Sequence, residues 1–162
     1  MTNNNIYFVA NWKMFGSVKS VNLLNKVISY SKTKKHKAKI IYCPPYTLIK
    51  SFVDKTINSS IEIGAQDCHP EQNYGPFTGA ISSKMIKDLG GKFVIIGHSE
   101  TRAENDNKKI NLKIKSALNE KLNVILCIGE KLIDKRKNKT KILRRHCTLT
   151  FRTSFNSGGC KT

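Results

Sequence analysis

The sequence predicts an α/β fold: an incomplete (β/α)8 barrel of about five parallel strands with intervening helices. Three observations carry this. Short, continuous apolar runs recur along the chain, as expected of strands buried on both faces. A segment that reads as a helix separates each successive pair of runs. Only five such units are legible in 162 residues, too few to close an eight-stranded ring. Sequential alternation with no obvious second layer favours part of a barrel; an open doubly wound sheet is the alternative.

Ile6–Ala10 reads as the first strand. Val18–Tyr30 reads as one helix, with Val21, Leu24, Val27 and Ile28 spaced along one face. Lys39–Cys43 is the second strand, stopped by Pro44-Pro45. Thr47–Val53 opens a second helix, with Thr47 placed to cap it before Leu48, Ile49 and Phe52. Ile61–Ala65 is the third strand, followed by a loop rich in Pro, Gly and Asn from Cys68 to Gly79. Ser82–Leu89 is a short helix that Gly90-Gly91 should end. Lys92–Gly97 is the fourth strand. Asn107–Lys121 is a helix with Ile110, Ile114, Ala117 and Leu118 on one face, and Asn123–Gly129 is the fifth strand. Residues 131–143 start another helix. Beyond them Leu149, Phe151 and Phe155 alternate with polar residues, and the strand–helix repeat does not continue.

Composition narrows the function classes. A hydrophobic content of 39% fits a globular chain rather than a disordered one. No apolar run approaches ~20 residues, and the start lacks a basic n-region with an apolar h-region; the expectation is a cytoplasmic protein with no membrane span. The five cysteines are odd in number and read as small buried hydrophobes, not a disulfide framework. Cys68-His69 and His146-Cys147 lack the paired spacing of a metal site, so no metal is expected. The net charge of +18 is uneven: residues 131–162 hold ten Lys/Arg and one acid, half of the excess. Such runs can bind nucleic acid, but they lack interleaved aromatics, and a solvated lysine-rich face explains them better.

The chemistry-bearing residues lie at carboxyl ends of strands, where parallel α/β proteins keep their sites. Asn11 and Lys13 follow the first strand: an amide that can donate a hydrogen bond, and an ammonium that can neutralise an anion or a developing oxyanion. Alone, Lys13 would pass for a solvent-facing lysine. His98, Ser99 and Glu100 follow the fourth strand. A neutral imidazole at His98 can donate to a carbonyl and shuttle protons; in isolation a structural histidine is an equally good reading of it. Glu100 can serve as base or turn cap, but pairing with Lys13 is favoured. Gly75–Gly79 alone says only that the chain turns.

Together these stretches resemble the triosephosphate isomerase family. The resemblance rests on Ala10-Asn11-Trp12-Lys13-Met14, Gly64-Ala65-Gln66-Asp67, Gly75-Pro76-Phe77-Thr78-Gly79-Ala80-Ile81-Ser82, Val94-Ile95-Ile96-Gly97-His98-Ser99-Glu100 and Leu126-Cys127-Ile128-Gly129-Glu130, in order across residues 6–143. It implies a TIM barrel and the cofactor-free interconversion of dihydroxyacetone phosphate and glyceraldehyde 3-phosphate in glycolysis and gluconeogenesis. As known of the family rather than deduced from these residues, His98 matches the neutral imidazole that polarises the substrate carbonyl. Lys13 matches the cation facing the phosphate and the enediolate, Asn11 the substrate-contacting amide, and Glu100 the carboxylate beside the lysine, with Ser99 supporting. Residues 75–80 match a loop that inserts into a partner subunit. A homodimer is implied, with Met14 and Thr78 near its interface, and neither nucleic acid nor membrane as partner.

The departures define further expectations. Family chains run to roughly 250 residues. Nothing here resembles the Ala-x-Glu-Pro-x-Trp segment whose glutamate abstracts the substrate proton, nor the later glycine-rich phosphate loops. Ala80 and Thr101 stand where many relatives carry an acid and an arginine. The resemblance fades near Arg144. The expected organisation is a barrel portion over 1–144 and a basic, atypical, non-native tail over 145–162, as a frameshift would leave. On that reading the chain alone is inactive, and its first and fifth strands are aggregation-prone edges. The alternatives are a non-catalytic remnant that dimerises and, more remotely, a basic nucleic-acid-binding module.

Overall fold

The structure, a computed structural model, describes residues 6–33 and 38–129. The expected helix over 131–143, the tail, Glu130, Cys147 and Cys160 lie outside the described residues.

Five strands form one parallel sheet in chain order: β1 (Ile6–Asn11), β2 (Ala38–Cys43), β3 (Ile61–Ala65), β4 (Phe93–Ile96) and β5 (Asn123–Leu126). The order never reverses, so the sheet curls into a half-barrel instead of spreading as a doubly wound sheet. Between the strands run α1 (Leu24–Thr33), α2 (Ile49–Thr56), α3 (Ser83–Asp88) and α4 (Asn107–Asn119). The register places Asn11 level with Cys43 and Ile96 level with Leu126, aligning the strand ends that carry the candidate residues.

Alternation along the strands makes two cores. One face of the sheet, with Ile63, Ala65, Val94 and Ile96, packs on Leu24, Ile49, Phe52, Ile86, Ile110 and Ala117 of the helices. The concave face gathers Ile41, Cys43, Phe93 and Ile95, with Tyr7, Ile125 and Cys127 against them. This explains why Phe93–Ile96 reads as an unbroken apolar run: all four residues are buried. In contrast, β1 exposes Ile6, Phe8 and Val9.

Two helix expectations need correction. Val18–Leu23 is a 3₁₀ segment, and the α-helix begins only at Leu24. The Ser20 hydroxyl accepts from Ser17 N at 2.9 Å, tightening that first turn, and no residue of the segment is fully buried; Val21 packs only part-buried against the helix-side core. Thr47 does not cap the second helix. Tyr46–Leu48 form a 3₁₀ turn, closed by Leu48 N on Pro45 O at 2.9 Å. The Tyr46 hydroxyl is also pinned to the Asp67 carbonyl at 2.6 Å, so α2 starts two residues late. The stop at Gly90-Gly91 holds: Gly90 adopts φ +91° and Gly91 N closes on Ile86 O.

Cys43 and Cys68 are buried as expected, and burial pushes each thiol up to about 12. Cys127 is only half-buried, because it lies beyond β5 on the open concave side.

Gly64 sits where strands crowd. A Cβ there would stand 2.9 Å from both Cys43 Sγ and Phe93 Cβ and 3.0 Å from Phe93 O. Backbone of a paired strand cannot step aside, so Gly64→Ala is expected to cost about 1–3 kcal/mol through overpacking. Chemical denaturation checks this; a change below about 0.5 kcal/mol would show that β3 and β4 are less tightly apposed.

Candidate active site

The site grows from three strand ends. After β1, Trp12 N extends the ladder by one bond to Cys43 O (3.0 Å). The Trp12 ring then stands edge-on to Phe52 with centroids 5.0 Å apart, which anchors the turn in the helix-side core. The next residue, Lys13, takes a left-handed backbone conformation, φ +52°. Its N–H donates to Asn11 Oδ1 at 2.9 Å. The carbonyl end of the Asn11 amide is thereby occupied, and its NH₂ is the end left for other groups.

After β4, Gly97 turns the chain with φ +75°. The following bend closes when Thr101 N and Arg102 N both donate to His98 O (2.9 and 3.0 Å). Lys13 Nζ then reaches Glu100 Oε1 at 2.7 Å. His98 Nδ1 lies 3.5 Å from Glu100 Oε2, too long for a hydrogen bond. The sequence-predicted trio Lys13, His98 and Glu100 is thus one cluster, although 87 residues separate the ion pair. Ser99 is exposed beside it.

The geometry fixes which histidine nitrogen is the donor. Glu100 N–H donates to His98 Nδ1 at 3.3 Å, so Nδ1 presents a lone pair. In the neutral ring the proton then sits on Nε2, which has no hydrogen-bond acceptor among the described residues and can donate to a bound oxygen. The Lys13 hydrogen bond and charge hold the Glu100 carboxyl below the usual glutamate range, against the opposing effect of desolvation.

A lowered carboxyl pKa stabilises the folded state only while the group is ionised. The contribution is present in full above the unfolded-state value and is lost as pH falls through the lowered one. In the Lys13→Met variant the Glu100 carboxyl is expected to titrate at higher pH than in the parent chain. Carbon-detected NMR of the carboxyl reads this directly, and an unmoved titration would mean that the ion pair does not form.

Sequence reasoning missed several supporting residues. Arg102 braces the ends of β4 and β5: its Nε donates to Gly97 O (3.2 Å), Nη2 to Cys127 O (3.4 Å) and Nη1 to Asn107 Oδ1 (2.9 Å). Gln66 Nε2 reaches both Lys13 O (2.8 Å) and Cys43 O (2.9 Å). Lys113, on α4, pairs with Asp67 at 2.5 Å with its side chain only 7% exposed. An ionisable residue on the apolar face of a predicted helix was the one available signal for Lys113.

The loop carrying Thr78 is exposed from Asn73 to Gly79, with Tyr74 and Phe77 turned outward; Met14 and Phe15 are exposed as well. Phe77 nevertheless stacks on His69, centroids 4.5 Å apart. Among the described residues no helix is long and apolar enough to cross a membrane.

The profile of the triosephosphate isomerase family matches residues 6–155. The chain belongs to the triosephosphate isomerase family. It is 42% identical over 134 residues to the triosephosphate isomerase of Wolbachia sp. subsp. Brugia malayi, which covers 82% of this chain and 55% of the relative. It is 41% identical over 138 residues to that of Thermodesulfovibrio yellowstonii, covering 83% and 55%. The crystal structure of triosephosphate isomerase from Bartonella henselae superposes with a TM-score of 0.77 at 32% identity, covering 86% of this chain and 58% of that one. The chain therefore spans about half the length of the triosephosphate isomerases it matches.

Proposed function

We propose that this chain carries the carbonyl-polarising and anion-facing residues of a triosephosphate isomerase, an intramolecular oxidoreductase that needs no cofactor. The observation that supports this most is the convergence of Lys13 and His98 on Glu100 at the carboxyl end of the sheet. Dihydroxyacetone phosphate offers an anion and a carbonyl. The Lys13 ammonium faces the anion and the enediolate charge, and His98 Nε2–H donates to the carbonyl oxygen as negative charge gathers there. Glu100, ionised and paired, holds Lys13 in place.

Abstraction of the substrate proton needs a further carboxylate base, and the family segment that supplies one has no counterpart among these 162 residues. Positioned proton transfer contributes ~10²–10⁴-fold. The 162-residue chain alone is therefore expected to bind the substrate weakly and to show no isomerase turnover above background. NMR titration with dihydroxyacetone phosphate tests the binding: shifts at His98 and Lys13 support it, and none at millimolar substrate defeat it. A coupled isomerase assay tests the turnover; ordinary enzyme rates would overturn the expectation.

The exposed side chains of Met14, Phe15, Tyr74 and Phe77 support a homodimer built through residues 75–80 with Met14 and Thr78 near its interface. They equally serve the reading of a non-catalytic remnant that dimerises; mixed dimers with an active homologue, seen by size exclusion, would favour that reading. Cytoplasmic location and the absence of a nucleic-acid partner belong to this proposal. So does the division into a barrel portion over 1–144 and a non-native basic tail over 145–162.

A further inference from the structure

We propose that Gln66, fixed from behind by the ion pair of Asp67 with the buried Lys113, is the positioning residue that keeps Lys13 in its working conformation. The importance given to Lys13 rests on the reading above; the geometry does not. A lysine has no intrinsic preference for φ +52°, where its Cβ crowds the backbone. Something must hold it there, and both of its backbone polar groups are held by side chains. Asn11 Oδ1 takes its N–H, and Gln66 Nε2 donates to its carbonyl at 2.8 Å.

The same Gln66 amide nitrogen donates to Cys43 O at 2.9 Å. Two acceptors on different strand ends use its two hydrogens. Gln66 therefore measures the distance between the turn after β1 and the end of β2.

The next residue explains why Gln66 does not swing away. Asp67 is gripped from three sides. Its Oδ2 accepts from Lys113 Nζ of α4, its Oδ1 from Cys68 N, and its carbonyl from the Tyr46 hydroxyl. An ion pair with one partner buried tolerates little displacement, since any gap leaves a charge without water or partner. Helix α4 thus acts on Lys13 through Asp67 and Gln66, without touching it.

Gln66→Leu keeps bulk and deletes both donors. The expected result is that Lys13 leaves the left-handed region, read by its HN–Hα coupling, and that Glu100 titrates at higher pH, as in Lys13→Met. Lys113→Met is expected to move both readouts in the same direction by less. Thr56→Ala, which removes a buried hydrogen bond to Phe52 O within α2, is the control for destabilisation alone and should move neither. A folded Gln66→Leu chain with unchanged Lys13 coupling and Glu100 titration overturns the proposal.

A second comparison covers failure to fold. Glycine adopts positive φ freely. Loss of Gln66 should therefore lower the melting temperature less in a Lys13→Gly background than in the parent chain. Equal losses in the two backgrounds, including failure of both to fold, overturn the proposal. None of these readouts needs substrate, so dihydroxyacetone phosphate leaving His98 and Lys13 unperturbed would defeat the functional reading alone.

Discussion

Replacing Phe52 by alanine is expected to destabilise the chain by about 3–5 kcal/mol. Phe52 is fully buried, in the cluster where α2 meets the sheet. It receives the edge of Trp12 at 5.0 Å and lies 6.4 Å from Tyr42. The truncation removes transfer free energy and leaves a cavity that strands β2 and β3 cannot close without breaking their pairing. The loss should appear in denaturant melts as a lower midpoint with an unchanged slope. Ile57→Ala, just past the end of α2 and 75% exposed, should stay within about 0.5 kcal/mol. A Phe52→Ala loss below about 1 kcal/mol would contradict the packing of this cluster. Because Trp12 directly precedes Lys13, the Lys13–Glu100 contact should loosen in the same variant.

Asp67→Ala is expected to cost a comparable amount, about 3–5 kcal/mol, for a different reason. It strands the Lys113 ammonium in a position where only 7% of its side chain meets solvent. It also removes the acceptor for Cys68 N. Breaking the exposed Lys50–Asp54 pair, at 62% and 57% exposure, should change stability by less than about 1 kcal/mol, because water replaces the lost partner. Equal effects at the two pairs would show that the Asp67–Lys113 site is wetter than the geometry indicates.

Much of the fold was legible because it depends on period. Phe93–Ile96 reads as a buried strand since both of its faces meet apolar neighbours, and α4 reads as a helix since Ile110 and Ala117 recur on one side. The trio Lys13, His98 and Glu100 was legible because each residue follows a strand, and parallel strands deliver their carboxyl ends to one place. Three features did not show. The break between the 3₁₀ segment and α1 depends on which turns find a packing surface. The late start of α2 depends on Tyr46 reaching Asp67, 21 residues away. Gln66 lay inside a recognisable motif but had no visible task, because its partners Lys13 and Cys43 are 53 and 23 residues distant.

The sequence by itself determined the order of strands and helices, the end of the sheet that carries the polar residues, and the family. Hydrophobic periodicity and turn chemistry are local, and they survive without knowledge of what lies across the sheet. The tertiary structure alone decided which nitrogen of His98 carries the proton, why Lys13 can hold a left-handed turn, and where Lys113 finds its counter-charge. Those depend on hydrogen-bond angles and on the exclusion of water between segments far apart in the chain, and no spacing rule along a single strand of text encodes them.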